Sequence, residues 1–117
     1  MLSPILVAST DPARQVAIMT VEGPFGDPRH TESLRQALPA LPLGYGFVID
    51  LSAAHDFSEG SIEGLRHLAR DAARSGQQVI FVCSNLEQRA VLVVAGLDSL
   101  APVVGTVEDA IPLVQAA

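Results

Sequence analysis

Tyr45 to Leu51 reads YGFVIDL, apolar at nearly every position rather than at every second one. A strand of that composition cannot leave either face in water. It belongs at the centre of a sheet covered on both sides. After it come small and polar residues, and then the cluster Asp56-Phe57-Ser58-Glu59-Gly60-Ser61. A helical pattern follows, with Ile62, Leu65, Leu68, Ala69, Ala72 and Ala73 at three- and four-residue spacings and Gly76 as its stop. A buried strand that turns into a helix is the repeating unit of parallel α/β sheets. The corner between them presents free N–H groups and the positive end of a helix dipole, which favour negative charge, phosphate included.

The rest of the chain repeats this alternation. Ile5 to Ala8 is a weak strand closed by the turn residues Ser9-Thr10-Asp11-Pro12, and Val16 to Val21 is a stronger one ended by Gly23-Pro24. The two are close enough to pair as a hairpin. Pro28 to Leu38 reads as a short helix, with Pro28 suited to its first turn and Pro39 and Pro42 ending it. Gln77 to Cys83 is a fourth strand, Leu86 to Ala95 a helix closed by Gly96, Pro102 to Val104 an edge strand, and Val107 to Val114 a last helix. The order β-β-α-β-α-β-α-β-α predicts one α/β domain over residues 1–117, a mixed β-sheet packed with about four α-helices.

Composition narrows the function. Of 117 residues, 49% are hydrophobic and 17% charged, too apolar for a disordered regulator. The net charge of −6 offers no basic stripe for nucleic acid. Every apolar run falls short of the roughly 18 residues of a membrane span, and the N-terminus lacks the basic segment of a signal peptide. The lone Cys83 excludes an internal disulfide and suits a reducing compartment. The expectation is a soluble cytoplasmic protein. His30, His55, His67 and Cys83 are too scattered for a metal set. Ser58, His55 and Asp56 lie too close in sequence for a catalytic triad, and no Gly-x-Ser-x-Gly elbow is present. Gly23-Pro24-Phe25-Gly26 lacks the Gly-Lys-Ser/Thr element of a phosphate loop. These readings leave no catalytic residue, metal or cofactor, and point to a binding module. Ser58 also suits an N-cap, with Asp56 and Glu59 adding a capping-box-like pair.

Several segments, in order and spacing, resemble the STAS domain of bacterial anti-sigma factor antagonists. They are Val21-Glu22-Gly23-Pro24-Phe25-Gly26-Asp27, Asp50-Leu51-Ser52, Ser75-Gly76, Val79-Ile80-Phe81-Val82, Ala95-Gly96-Leu97-Asp98 and Thr106-Val107-Glu108-Asp109-Ala110. The resemblance implies a non-enzymatic protein that binds an anti-sigma factor of serine-kinase type and frees a sigma factor, with a phosphatase as a further partner. In that family the second serine of Asp-Ser-Ser-Gly, at the start of the helix, receives phosphate. Laid down without gaps from Asp50 to Gly76, this chain places Gly60 there, which has no hydroxyl. A register with a shorter loop instead matches Asp56-Phe57-Ser58 to Asp-Ser-Ser and makes Ser58 the acceptor, while Ser61 is a third possibility. Ser58 and Ser61 are therefore the phosphoacceptor candidates, and Asp56, Phe57, Glu59 and Gly60 complete the expected partner-binding corner. The resemblance also admits a divergent STAS domain serving as a scaffold or as a cytoplasmic subunit of a lipid or anion transport system.

Overall fold

A computed structural model describes residues 4–42 and 44–115. Five strands, β1 (Ile5–Asp11), β2 (Val16–Pro24), β3 (Gly46–His55), β4 (Val79–Val82) and β5 (Val103–Val104), form one sheet in the order β1-β2-β3-β4-β5. β1 is antiparallel to β2, and every later pair is parallel. The four α-helices are α1 (Pro28–Ala37), α2 (Glu59–Arg74), α3 (Leu86–Val94) and α4 (Val107–Gln115).

Side-chain alternation along the strands sorts the core into two layers. Phe47, Ile49 and Leu51 of β3 and Phe81 of β4 point to the face where Leu34 of α1, Leu65 and Leu68 of α2 and Leu92 of α3 pack. Val48, Ile80 and Val82 point to the other face and meet Ala110 and Val114 of α4. β3 is thus central and buried on both sides, as its unbroken apolar run requires. Arg35 ties α1 to α2, its Nε and Nη2 donating to Asp71 Oδ2 at 3.1 and 2.9 Å. Gly64 and Gly46 mark two close approaches, where an added Cβ would overlap Thr31 and Val114 respectively.

Three strand boundaries differ from the sequence expectation. Ser9, Thr10 and Asp11 were expected in a turn but continue β1, with Thr10 opposite Ala17 and Asp11 opposite Val16. The turn falls at 12–15 instead and uses a positive φ of 55° at Gln15. β2 and β3 also run on together. Glu22, Gly23 and Pro24 pair with Ala53, Ala54 and His55, so Ser52–His55, expected as loop, is strand. Ladder pairing outweighs the low strand propensity of Ala and Ser there. Between Thr20↔Asp50 and Glu22↔Ala53 the register gains one residue on β3. That bulge resets the alternation, so Leu51 and Ala54, three apart, both enter the same core layer. The fourth strand is shorter than expected, Val79–Val82 rather than Gln77 to Cys83.

Candidate functional site

All four parallel strands end at the same edge of the sheet, and each leads into the N-terminus of a helix. The four caps standing there are polar. Asp27 Oδ1 accepts from Arg29 N, Ser58 Oγ from Ser61 N, Asn85 Oδ1 from Gln88 N, and Thr106 Oγ1 from Asp109 N. The rule for open α/β sheets places ligands outside this carboxyl edge where the strand order reverses; here the order runs β1-β2-β3-β4-β5 without reversal, and what marks the edge is its four polar caps.

The corner after β3 is short. Asp56 turns the chain with a φ of +60°, a conformation that Asp adopts more readily than most residues, and its Oδ2 lies 3.0 Å from His55 Nδ1. Phe57 then folds inward, its ring meeting Phe25 edge-on at 5.9 Å between centroids. Ser58 caps α2 through a reciprocal pair of bonds with Ser61. Ser58 Oγ accepts from Ser61 N at 3.1 Å while Ser58 N donates to Ser61 Oγ at 2.9 Å. Glu59 is the first helical residue and is exposed, and Gly60 follows it, half-buried.

The two serines differ in access. Ser61 has no exposed surface, and its hydroxyl also donates to Ser58 O at 3.0 Å. Ser58 is half-buried at the rim. Ser58 is the N-cap, as expected, but the residue that completes the capping box is Ser61 rather than Asp56 or Glu59. Asp56 is held by His55, and Glu59 sits at N1 rather than at the N3 position that a capping box uses.

The β2–α1 loop belongs to this corner too, although the sequence reading did not include it. Ser58 Oγ donates to the carbonyl of Gly26. A Cβ on Gly26 would come within 2.6 Å of the Asp56 carbonyl, so the two loops touch backbone to backbone. Asp27, next to Gly26, is held to Arg29 at 2.6 Å, and that hydrogen bond lowers its carboxyl pKa from 3.8 to about 2. A third loop joins through Ser52, whose Oγ accepts from Ser84 N at 3.0 Å. A signal for these contacts was available, since a Gly-Asp-Pro turn after a strand parallel to β3 must end beside the β3 corner. The edge therefore presents exposed Asp56 and Glu59 around a locked hydroxyl. Among the described residues no group of three His, Cys, Asp or Glu side chains is placed to hold a metal ion. No described helix is long and apolar enough to cross a membrane.

No protein-family profile and no curated protein matches the sequence. Solved structures do match in shape. An anti-sigma factor antagonist from Mycobacterium paratuberculosis superposes with a TM-score of 0.76 at 23% identity, covering 97% of this chain and 95% of that one. A candidate anti-sigma factor antagonist from Thermotoga maritima gives 0.76 at 15% identity, with 94% of each chain covered. The murine Solute Carrier 26 family member A9 anion transporter gives 0.70 at 20% identity, with 88% of this chain but 18% of the transporter covered. At these identities the likeness is one of fold: the chain has the STAS-type α/β fold of the anti-sigma factor antagonist structures.

Proposed function

We propose that this protein is a cytoplasmic anti-sigma factor antagonist that docks an anti-sigma factor on the carboxyl edge of its sheet, around Ser58. The observation that carries the reading is the fold match to antagonist structures over nearly the full length of both chains. The corner's construction supports it. Asp56, Glu59 and the Ser58 hydroxyl stand at the rim of a rigid platform made by three hydrogen-bonded loops. The partner is a serine kinase as well as an anti-sigma factor, and it transfers the γ-phosphoryl group of ATP to Ser58 Oγ, with a phosphatase restoring the hydroxyl. Ser61, fully buried with its oxygen already engaged, serves as the cap partner and not as the acceptor.

A phosphate on Ser58 adds about −1.5 to −2 charge at neutral pH. Phosphorylation gives up the bond from Ser58 Oγ to the Gly26 carbonyl, while the N–H groups and dipole at the N-terminus of α2 favour the added anion. The docking surface does not favour it. With Asp56 and Glu59 already exposed alongside, a third acidic group repels and must be desolvated before a partner can close over it.

The test incubates the protein with a kinase-type anti-sigma factor and ATP, maps phosphate by mass spectrometry and measures binding by titration calorimetry. Phosphate on Ser58 together with weakened binding supports the switch. Binding without phosphate on any serine overturns the switch and keeps the antagonist. Failure to bind any anti-sigma factor sinks the antagonist reading altogether.

A further inference from the structure

At the amino end of the parallel strands, opposite the Ser58 edge, the fold carries a cleft of about 930 Å³. Small-molecule sites run from about 300 to 1,000 Å³. The cleft is bounded by the β1–β2 turn at Arg14 and Gln15, by Leu38 and Leu41 just past α1, by Tyr45 at the start of β3 and by Gln78 before β4. Two bonds fix this frame: Gly46 N donates to Gln15 O at 2.9 Å, and Gln77 Nε2 donates to Leu38 O at 2.9 Å. The polar groups around it are unequally engaged. Arg35 is held by the carboxylates of Asp71 and Glu32 at 2.9 and 3.1 Å. The Arg14 guanidinium has only Asp11, Nε to Oδ2 at 3.6 Å, which leaves its terminal N–H groups to a second carboxylate. The side chains of Gln15, Tyr45 and Gln78 have no hydrogen-bond partner among the described residues.

We propose that this cleft binds a small organic carboxylate with a compact apolar body. A guanidinium fork matches a carboxylate, and the uncommitted amide and phenol groups beside it suit a ligand with a polar head. Leu38 and Leu41 offer apolar surface to the rest of it. Helix dipoles set the direction. α1 and α2 both end at this side of the sheet, and the negative ends of their dipoles disfavour an anion beside them. The carboxylate therefore belongs at Arg14 in the strand turn, with the apolar body against Leu38 and Leu41. The Ser58 corner lies beyond the far end of β3, ten residues and about 30 Å along the strand. A ligand here does not compete with a partner docked there.

Amide NMR on the full chain tests this, with cyclohexanecarboxylate as the probe and cyclohexanemethanol as its uncharged counterpart. The carboxylate should shift the amides of Gln15, Gly46 and Gln78 saturably, with half-saturation at about 1 mM, as befits so small a ligand. Cyclohexanemethanol should bind about five- to tenfold more weakly, for want of the charge-assisted bonds. Arg14 is exposed, so its replacement leaves the core intact. Arg14→Gln should bring the carboxylate down to the level of the alcohol and leave the alcohol unchanged. Arg70→Gln, outside the cleft, should change neither. No saturable shift of these amides by the carboxylate overturns the proposal, and so does equal binding of the two probes. Carboxylate binding that survives Arg14→Gln, or falls equally in both arginine variants, overturns it as well, the last because it marks only a general attraction of anions to positive charge.

Discussion

Replacing Ser58 with alanine removes an N-cap and a hydrogen bond between loops together, while replacing Ser61 removes only the far half of the cap. Ser58→Ala should cost about 2 kcal/mol, the cap and the bond to Gly26 together, which lowers the melting temperature by about 6–12 °C in a chain of this size. Ser61→Ala leaves the Ser58 N–H without its acceptor in a half-buried place and should cost about 1–2 kcal/mol. Thermal denaturation of the two variants checks both figures. Partner titration separates the roles, since Ser58→Ala should change it and Ser61→Ala should not. Asp27 makes a pH prediction. Folding lowers its pKa from 3.8 to about 2, so its contribution is present above about pH 4 and is lost as the pH falls toward 2. Asp27→Asn keeps a capping side chain but loses the ion pair with Arg29, so its stability should fall less steeply over that window. At this scale the sequence was partly legible. Cys83, at the end of the apolar run expected as the fourth strand, is buried, and desolvation pushes its thiol pKa up. The inward turn of Phe57 onto Phe25 was not legible, because an aromatic in a polar cluster gives no sign of which side of the chain it will take.

Between elements, the tightest fit is where α1 crosses α2. A Cβ on Gly64 would overlap Thr31, which is itself buried, so Gly64→Ala gains helix propensity and loses more to overpacking. The net cost should be about 1–3 kcal/mol by urea denaturation, and Thr31→Ala in the same chain should recover much of it. An additive double variant would count against a shared contact. The four α-helices and five strands of the described residues could each be read from periodicity and from Gly and Pro punctuation. What periodicity did not reach was the length of the strands at the functional edge. Ser52-Ala53-Ala54-His55 carries no strand signal of its own and is held extended by pairing with Glu22 to Pro24, a partner some thirty residues away. The loop before Ser58 is consequently tighter than composition suggested, and that tightness brings Gly26 against Asp56.

For the molecule as a whole, the two core layers share one sheet, with Val48, Ile80 and Val82 pointing one way while Phe47, Ile49 and Phe81 point the other. Neither layer can be lost without exposing the back of the other, and residues 1–117 are proposed to unfold as one unit. Urea denaturation followed by far-UV circular dichroism and by Tyr45 fluorescence should give superimposable curves with a slope of about 1–2 kcal/mol/M. Transitions that separate would mean that α4 detaches first. The sheet itself has a further property. Strand order across it is the same as strand order along the chain, so no strand has to be inserted between two that came earlier. A ribosome releasing this chain from its N-terminus delivers first the β1–β2 hairpin, the one local pairing, and then β3, β4 and β5. Each arrives with its crossover helix already made, at an edge that is open to receive it. The strands can therefore be taken up in the order in which they are made, and the core closes when α4, the last helix, covers the second face.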